Sequence, residues 1–240
     1  MSSECVLVTG ASRGIGRAIT ERLIADGMHV INIDKESPAK IAAHESFYQV
    51  DISDEKALRT ALAEINHSHT ITRLVNNAGI VRPANIENTS LEDLHAVMNV
   101  NIAAAIICVQ AVLPAMKAAH FGRIVNISSR AALGKEERIV YATTKAGLLG
   151  LTRTLALELA VDGITVNAIG PGPIATELFQ SANPPDAPAT QRILDSVPLG
   201  RIGQPEEVAH LVASLLDHRA GFTTGQVVYV CGGMTVGLSQ

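Results

Sequence analysis

Short unbroken apolar runs alternate along this chain with stretches whose apolar residues recur every three or four positions. Val6-Leu7-Val8, Val30-Ile31-Asn32-Ile33, 47–50, Leu74-Val75, Ile124-Val125-Asn126-Ile127, 164–169 and 227–230 read as strands buried on both faces. Helical spacing fills the gaps. In 17–25, Ala18, Ile19, Leu23 and Ile24 share a face, Arg17 and Glu21 form an i,i+4 pair on the solvent side, and Gly27 stops the helix. Ser53 is placed to cap a helix that opens with Asp54-Glu55-Lys56, and Ser90 to cap one beginning at Leu91. Longer helices are expected over 100–119 and 141–159. This alternation predicts an α/β fold: a Rossmann-type doubly wound parallel sheet of about seven strands flanked by helices. No linker or repeat interrupts it, so 1–240 is expected to form a single domain. The one irregular stretch is 171–198, with Pro184-Pro185 and Pro188 among small polar residues, and a loop of that length reads as a lid over a site.

In such sheets ligands lie beyond the carboxyl ends of the strands. Here those ends carry Gly10, Asp34, Asp51, Asn77, Ser129 and Pro171-Gly172, so special and polar residues gather on one edge.

Composition narrows the class. The 240 residues are 47% hydrophobic but only 3% aromatic, without Trp, so the core must be built from Val, Ile, Leu and Ala. A net charge of -4 with scattered basic residues gives no pull toward nucleic acid or an anionic membrane. Cys5, Cys108 and Cys231 are too few and too far apart for a disulfide framework or zinc knuckle, and read as buried thiols in a reducing cytoplasm. The N-terminus lacks the basic-then-apolar order of a signal peptide. The apolar 100–119 run contains Asn101, Gln110, Pro114 and Lys117, which favours a buried helix or subunit contact over a bilayer span. His67 and His69 fall in a polar stretch read as a loop. None of the eight histidines shows a metal-ligand pattern, so surface or capping roles and no catalytic metal are expected.

Two patterns carry chemistry. Gly10, Gly14 and Gly16 lie between the first strand and its helix, where glycines admit a pyrophosphate and the helix N-terminus favours its charge. The Gly-x-x-x-Gly-x-Gly spacing departs from the common dinucleotide fingerprint. Tyr141 and Lys145 sit one turn apart at the start of a helix. A free phenol is ionised only about once per thousand molecules at neutral pH, and a nearby ammonium favours the anion, so the pair suits general acid/base work. Ser129 or its neighbour Ser128 is placed to hydrogen-bond a substrate oxygen. Asp34, at the end of the second strand, can accept hydrogen bonds from adenosine ribose hydroxyls and repel a 2′-phosphate. Arg13 and Lys35 pull the other way, but a like-charge contact costs more than a flexible cation returns, so NAD is expected over NADP.

Taken together these residues resemble the short-chain dehydrogenase/reductase family. Thr9-Gly10-Ala11-Ser12-Arg13-Gly14-Ile15-Gly16 is similar to its cofactor motif, Asn76-Asn77-Ala78-Gly79 to its structural motif, Tyr141 and Lys145 to its catalytic pair, and Pro171-Gly172 to the turn beside the nicotinamide. The resemblance is to 3-oxoacyl-[acyl-carrier-protein] reductases and related bacterial secondary-alcohol dehydrogenases. The resemblance implies cofactor contacts from Gly10, Ser12, Arg13, Gly14, Ile15, Gly16 and Asp34, adenine contacts from Asp51 and Ile52, and further contacts from Asn77, Ala78, Gly79, Tyr141, Lys145, Pro171, Gly172, Ile174 and Thr176. It assigns the substrate-oxygen role to Ser129 and a water-holding role to Asn101, with Asn99 the rival. It also implies hydride transfer between nicotinamide and a secondary alcohol or ketone, and a homotetramer or homodimer.

Two other classes use this fold: a nucleotide-binding regulator without turnover, and an isomerase or dehydratase using bound NAD transiently. The intact Tyr141 and Lys145 speak against the first. Substrate identity is thinly encoded. The charged stretch 134–138 reads as solvated, with Arg130 a candidate for recognising a carboxylate.

Overall fold

The computed structural model describes residues 4–184 and 186–236; Pro185 of the Pro-rich stretch lies outside them. Seven parallel strands lie in the order β3-β2-β1-β4-β5-β6-β7. They are β1 (Cys5–Thr9), β2 (His29–Asp34), β3 (Glu45–Gln49), β4 (Ile71–Asn76), β5 (Gly122–Ile127), β6 (Ile164–Pro171) and β7 (Val227–Val230). The helices are α1 (Gly14–Ala25), α2 (Glu55–Ser68), α3 (Leu91–Met98), α4 (Ala104–Ala118), α5 (Ile139–Leu159), α6 (Glu177–Ala182), α7 (Pro188–Asp195) and α8 (Pro205–Leu216).

The unbroken apolar strands are explained by two cores. Leu7, Ile31, Leu74, Ile124 and Val166 face a cluster with Leu58, Leu62, Val112 and Met116 of α2 and α4. Val6, Val8, Val30, Val75 and Val125 face Ile19, Leu23, Val208 and Val212 of α1 and α8. Adjacent residues thus point to opposite faces and both faces are dry. Each fully buried side chain of this kind contributes about 1.5–3 kcal/mol.

The strand order reverses at β1. From there the chain adds β2 and β3 on one side and then crosses to place β4 on the other. The crevice beyond β1 and β4 is the switch point where ligands bind in open α/β sheets. α1 ends in a paired C-terminal motif: Met28 N–H donates to the Leu23 carbonyl at 3.0 Å and Gly27 N–H to the Ile24 carbonyl at 2.9 Å, with Gly27 at φ +88°.

Several local expectations need correction. Asp54, not Ser53, caps α2 by accepting from Ala57 N–H at 3.0 Å, because Ser53 is turned back onto Asp51 at 2.7 Å. Ser90 does cap α3. Arg17 is not on a wet face: it also reaches the buried Glu45. His67 lies within α2, and His69 stacks on the partly buried His29. Cys108 and Cys231 are buried, but Cys5 only partly. The helix expected over 100–119 begins with a π-turn, Asn99–Ala103, and is regular only from Ala104. The run Leu91–Ala118 is long and apolar enough to cross a membrane by composition. Here Ile107, Cys108, Val112 and Met116 on one side of it are core residues, buried with α2 and the sheet. Finally, 171–198 is not structureless, since it contains α6 and α7.

Candidate active site

The glycine-rich turn is shaped by contacts that exclude side chains. A Cβ on Gly16 would lie 2.0 Å from the Gly10 carbonyl oxygen, and one on Gly10 would lie 2.9 Å from the Ala78 Cα. Gly10 and Gly14 adopt φ of +66° and +55°, where only glycine is unstrained. Asn77 fastens the turn from the β4 side: its Nδ2 donates to the Thr9 and Gly10 carbonyls at 3.0 and 2.8 Å. Thr9 Oγ1 accepts from Asn77 and Ala78 N–H. The side chains of Asn77 and Ala78 therefore form the cradle rather than reach out from it. α1 then starts with no capping side chain and no acid in its first turn, leaving its N-terminal dipole for an anion. Ile15 turns its side chain into the core under α1. A pyrophosphate is the group these residues fit.

Beneath the turn lies a polar network that the sequence reading missed. Buried Glu45 receives both ends of the Arg17 guanidinium at 3.0 Å, the Ala42 N–H at 3.0 Å and Asn32 Nδ2 at 2.9 Å. Asn32 Nδ2 also donates to Ser12 Oγ at 3.2 Å. Burial alone would raise the Glu45 carboxyl, but Arg17, the Ala42 N–H and Asn32 outweigh it and hold the pKa below the ordinary value. A carboxylate in a strand beginning at Glu45 was the only available signal. Removing one partner of such a buried pair costs about 3–5 kcal/mol.

Asp34 closes the far end of the crevice. Its Oδ2 accepts from Ser12 N–H at 3.0 Å and its Oδ1 from Glu36 N–H at 3.1 Å. Arg13 is engaged by Glu36 at 2.9 Å, a pair that sequence reading also missed. Asp51 accepts from Ser53 N–H and hydroxyl, which hold its pKa down, and Ile52 packs against the core beside it.

At the ends of β5 and α5 the structure separates the two serines. Ser128 is buried and spends its proton on the Lys145 carbonyl at 2.7 Å. Ser129 Oγ accepts from Ala131 N–H at 3.1 Å, and its hydroxyl faces the Tyr141 phenol. Burial raises the Tyr141 phenol above its usual pKa, while the Ser129 hydroxyl and the Arg138 charge pull it back. Lys145 is buried, with Nζ donating to the Ile127 carbonyl at 2.7 Å and lying 5.6 Å from the centre of the Tyr141 ring. Burial is the largest influence on the phenol, and Ser129 and Arg138 only partly oppose it.

Burial pushes Lys145 itself down to about 8 from 10.5. Between those values the unfolded chain holds a proton that the folded chain lacks, so stability from this residue rises with pH through that window. The Tm difference between wild type and Lys145→Met should therefore shift in favour of wild type from pH 7.5 to 10. A difference that stays flat contradicts the burial of an ionisable amine here.

Asn101 is held by its neighbours. Its Oδ1 accepts from Ile80 N–H at 2.9 Å, and its Nδ2 donates to the Ile80 carbonyl and to Thr144 Oγ1 at 3.2 and 3.0 Å. This side chain ties the segment after β4 to α5, and Oδ1 keeps one lone pair beyond the Ile80 bond.

These parts converge. A Cβ on Gly79 would lie 3.2 Å from Lys145 Nζ and 3.3 Å from Asn101 Oδ1, so the segment after β4 touches the glycine turn at one end and the lysine at the other. Gly172 N–H donates to the Val230 carbonyl at 2.9 Å, placing 171–176 along the same edge. Ile174 is buried, whereas Thr176 Cγ2 would lie 3.3 Å from a Cβ on Gly14, over the turn.

Comparison with known proteins agrees with this layout. A family model described as "Enoyl-(Acyl carrier protein) reductase" matches residues 10–235. The acetoacetyl-CoA reductase of Shinella zoogloeoides is 39% identical over 238 residues, 96% of this chain and 98% of that protein. The 3-oxoacyl-[acyl-carrier-protein] reductase of Synechocystis sp. is 38% identical, covering 98% of each. Among solved structures, the ligand-free aldohexose dehydrogenase of Thermoplasma acidophilum superposes with a TM-score of 0.91 at 32% identity, covering 99% of this chain and 96% of that one. ElxO with NADP bound gives 0.90 at 30% identity, covering 97% and 98%. With the seven-stranded sheet, the glycine turn and the Tyr141–Lys145 helix in place, the chain belongs to the short-chain dehydrogenase/reductase family, as a 3-oxoacyl-reductase-like, NAD(P)-dependent oxidoreductase of ketones and secondary alcohols.

Proposed function

We propose that Tyr141 is the proton-transfer residue of this oxidoreductase, that Ser129 holds the substrate oxygen, and that NAD is the preferred cofactor. The observation that carries the reading is the convergence at Gly79, where Lys145 and Asn101 meet the segment that also fastens the glycine turn. Gly10, Ser12, Gly14, Ile15 and Gly16 would hold the pyrophosphate, Asp34 the adenosine ribose, and Asp51 and Ile52 the adenine. Gly79, Pro171, Gly172, Ile174 and Thr176 would line the nicotinamide end, and Lys145 would hold its ribose. When bound, the nicotinamide supplies or accepts the hydride. Tyr141 gives its proton to the carbonyl oxygen in reduction and takes it back in oxidation. The Ser129 hydroxyl donates to the same oxygen and stabilises its developing charge. Asn101 acts as a positioning residue through Ile80 and Thr144. A spectrophotometric screen of secondary alcohols and ketones at the NADH band, in both directions, tests the reading. Absence of any change across the panel contradicts it.

The cofactor preference rests on two carboxylates. A 2′-phosphate at the end of β2 would face Asp34, and the cation that would greet it, Arg13, is already engaged by Glu36. NADH should therefore exceed NADPH in kcat/KM by at least about tenfold, one decade being about 1.4 kcal/mol. Removing Asp34 and Glu36 together (Asp34→Ser, Glu36→Ala) should reverse the order. A tenfold NADPH advantage in the wild type contradicts the assignment.

We further propose one domain over 1–240 with 171–198 as its lid, a cytoplasmic location and a homotetramer or homodimer built on α4 and α5. Cys108 and Cys231, buried thiols outside any disulfide, support the compartment. Support for the assembly comes from Ile106, Leu157 and Val161 standing exposed on or just beyond these helices.

A further inference from the structure

Three cations lie on the segment that joins Ser129 to Tyr141: Arg130, Lys135 and Arg138. Arg130 follows Ser129 and opens the short turn Arg130–Leu133 that Ser129 caps. Arg138 is the residue before α5, three positions ahead of Tyr141, and its charge is felt by the phenol. Lys135 lies in the loop between them, its pKa lowered first by burial and then by the charges of Arg138 and Arg130. Elsewhere on the chain Arg13, Arg17, Arg22, Arg59, Arg73, Arg201 and Arg219 each meet a carboxylate. Among the described residues no carboxylate forms an ion pair with Arg130, Lys135 or Arg138, although Glu136 and Glu137 are their neighbours.

The loop that carries these cations is held in place. Glu137 adopts φ +55°, a left-handed conformation that costs a non-glycine residue energy and persists only where surroundings impose it. Ala84 imposes it here: its N–H donates to the Glu137 carbonyl at 3.1 Å, and Ala84 bridges Arg138. The Arg138 guanidinium donates to the Glu137 carbonyl at 2.9 Å, a neutral partner that leaves its charge uncompensated, and like charges gathered without a counter-ion oppose one another. The 21-residue α5 adds its positive end beside them, with no acid in its first turn. An anion supplied by the ligand would offset all of this.

The position of the cluster identifies the anion. It flanks Ser129 and Tyr141, so the charge it receives must lie within a few bonds of the reacting carbon. A 3-oxoacyl thioester presents a neutral group there, with its phosphates many bonds away. A free hydroxy or oxo acid presents a carboxylate, which guanidinium groups bind through paired hydrogen bonds. Resting on the proton-transfer roles given above, we infer that the substrate is a small hydroxy or oxo acid whose carboxylate, unchanged in the reaction, docks on Arg130, Lys135 and Arg138.

The test uses 2- and 3-hydroxy acids of three to six carbons with NAD, each beside its methyl ester, and 3-hydroxybutyrate also beside its coenzyme A thioester. Turnover and calorimetric binding to the enzyme–NADH complex are both read. At least one acid should exceed its ester in kcat/KM by about 10–100-fold, the range expected for hydrogen bonds to a charged group. That ratio should fall toward unity in Arg138→Gln and in Arg130→Gln, and be restored in part by Arg138→Lys. Esters or the thioester turned over as well as the acids would overturn the carboxylate subsite while leaving the oxidoreductase reading intact. So would unchanged acid-to-ester ratios in both arginine variants. Acids that bind without any member of the panel turning over would uphold the subsite and sink the proton-transfer reading. No heat and no turnover with any acid would overturn the subsite.

Discussion

Tyr141→Phe should lower kcat by about a thousandfold, within the range of about 10²–10⁴ that a positioned general acid/base supplies. The argument is local. The substitution removes one oxygen and leaves the ring, whose face lies 5.6 Å from Lys145 Nζ. Ser128 would still anchor the Lys145 carbonyl, and Lys145 the Ile127 carbonyl, so the walls of the site would stand. NADH binding should weaken by no more than about fivefold, the equivalent of one hydrogen bond of about 1 kcal/mol. Ser129 cannot replace the phenol, because a hydroxyl bound to Ala131 N–H has no neighbouring base to take up its proton. A kcat within threefold of wild type would remove Tyr141 from the mechanism.

Gly16→Ala should abolish measurable cofactor binding and lower Tm by several degrees. The new Cβ would sit 2.0 Å from the Gly10 oxygen, 2.6 Å from Asn77 Nδ2 and 2.8 Å from the Gly10 carbonyl carbon. Two of these three atoms are backbone, so no rotamer change relieves the contact. Contact at ordinary separation requires the β1–α1 turn to move by more than an ångström, which breaks the Asn77 bonds to Thr9 and Gly10. Overpacking of this kind costs about 1–3 kcal/mol, occasionally more. For a chain of this size one kcal/mol lowers Tm by about 2–4 °C. Calorimetry and NADH titration check both parts. Near wild-type affinity would show that the turn is not the cofactor cradle.

Much of this was legible because it is periodic or spaced. Seven apolar runs gave seven strands, and the carboxyl-end residues Gly10, Asp34, Asn77, Ser129 and Gly172 do lie along one edge. Two-sided burial makes a strand readable, since both alternate positions must be apolar. Side-chain partnerships were less legible because they join distant segments. Nothing local to Glu45 shows that Arg17 and Asn32 will meet it, and Glu36 becomes the partner of Arg13 only once β2 is paired with β1. Asn101 was read as holding water, and its bonds to Ile80 and Thr144, from segments before and after it, could not be foreseen from its neighbours in the chain. The choice of Asp54 over Ser53 as cap turned on Asp51 capturing the Ser53 hydroxyl. That Lys145 would be buried and donate to the Ile127 carbonyl was likewise hidden, because β5 reaches it only once the sheet is assembled.

The central claim is spatial, and a crystal structure with NADH and an unreactive substrate analogue bound tests it most directly. The account places the analogue's carbonyl oxygen about 2.6–3.2 Å from both the Tyr141 and Ser129 oxygens, with its carbon facing nicotinamide C4. An analogue oxygen held by other groups, with the phenol remote from the nicotinamide and no movement of 171–198 able to bring it near, would contradict the account.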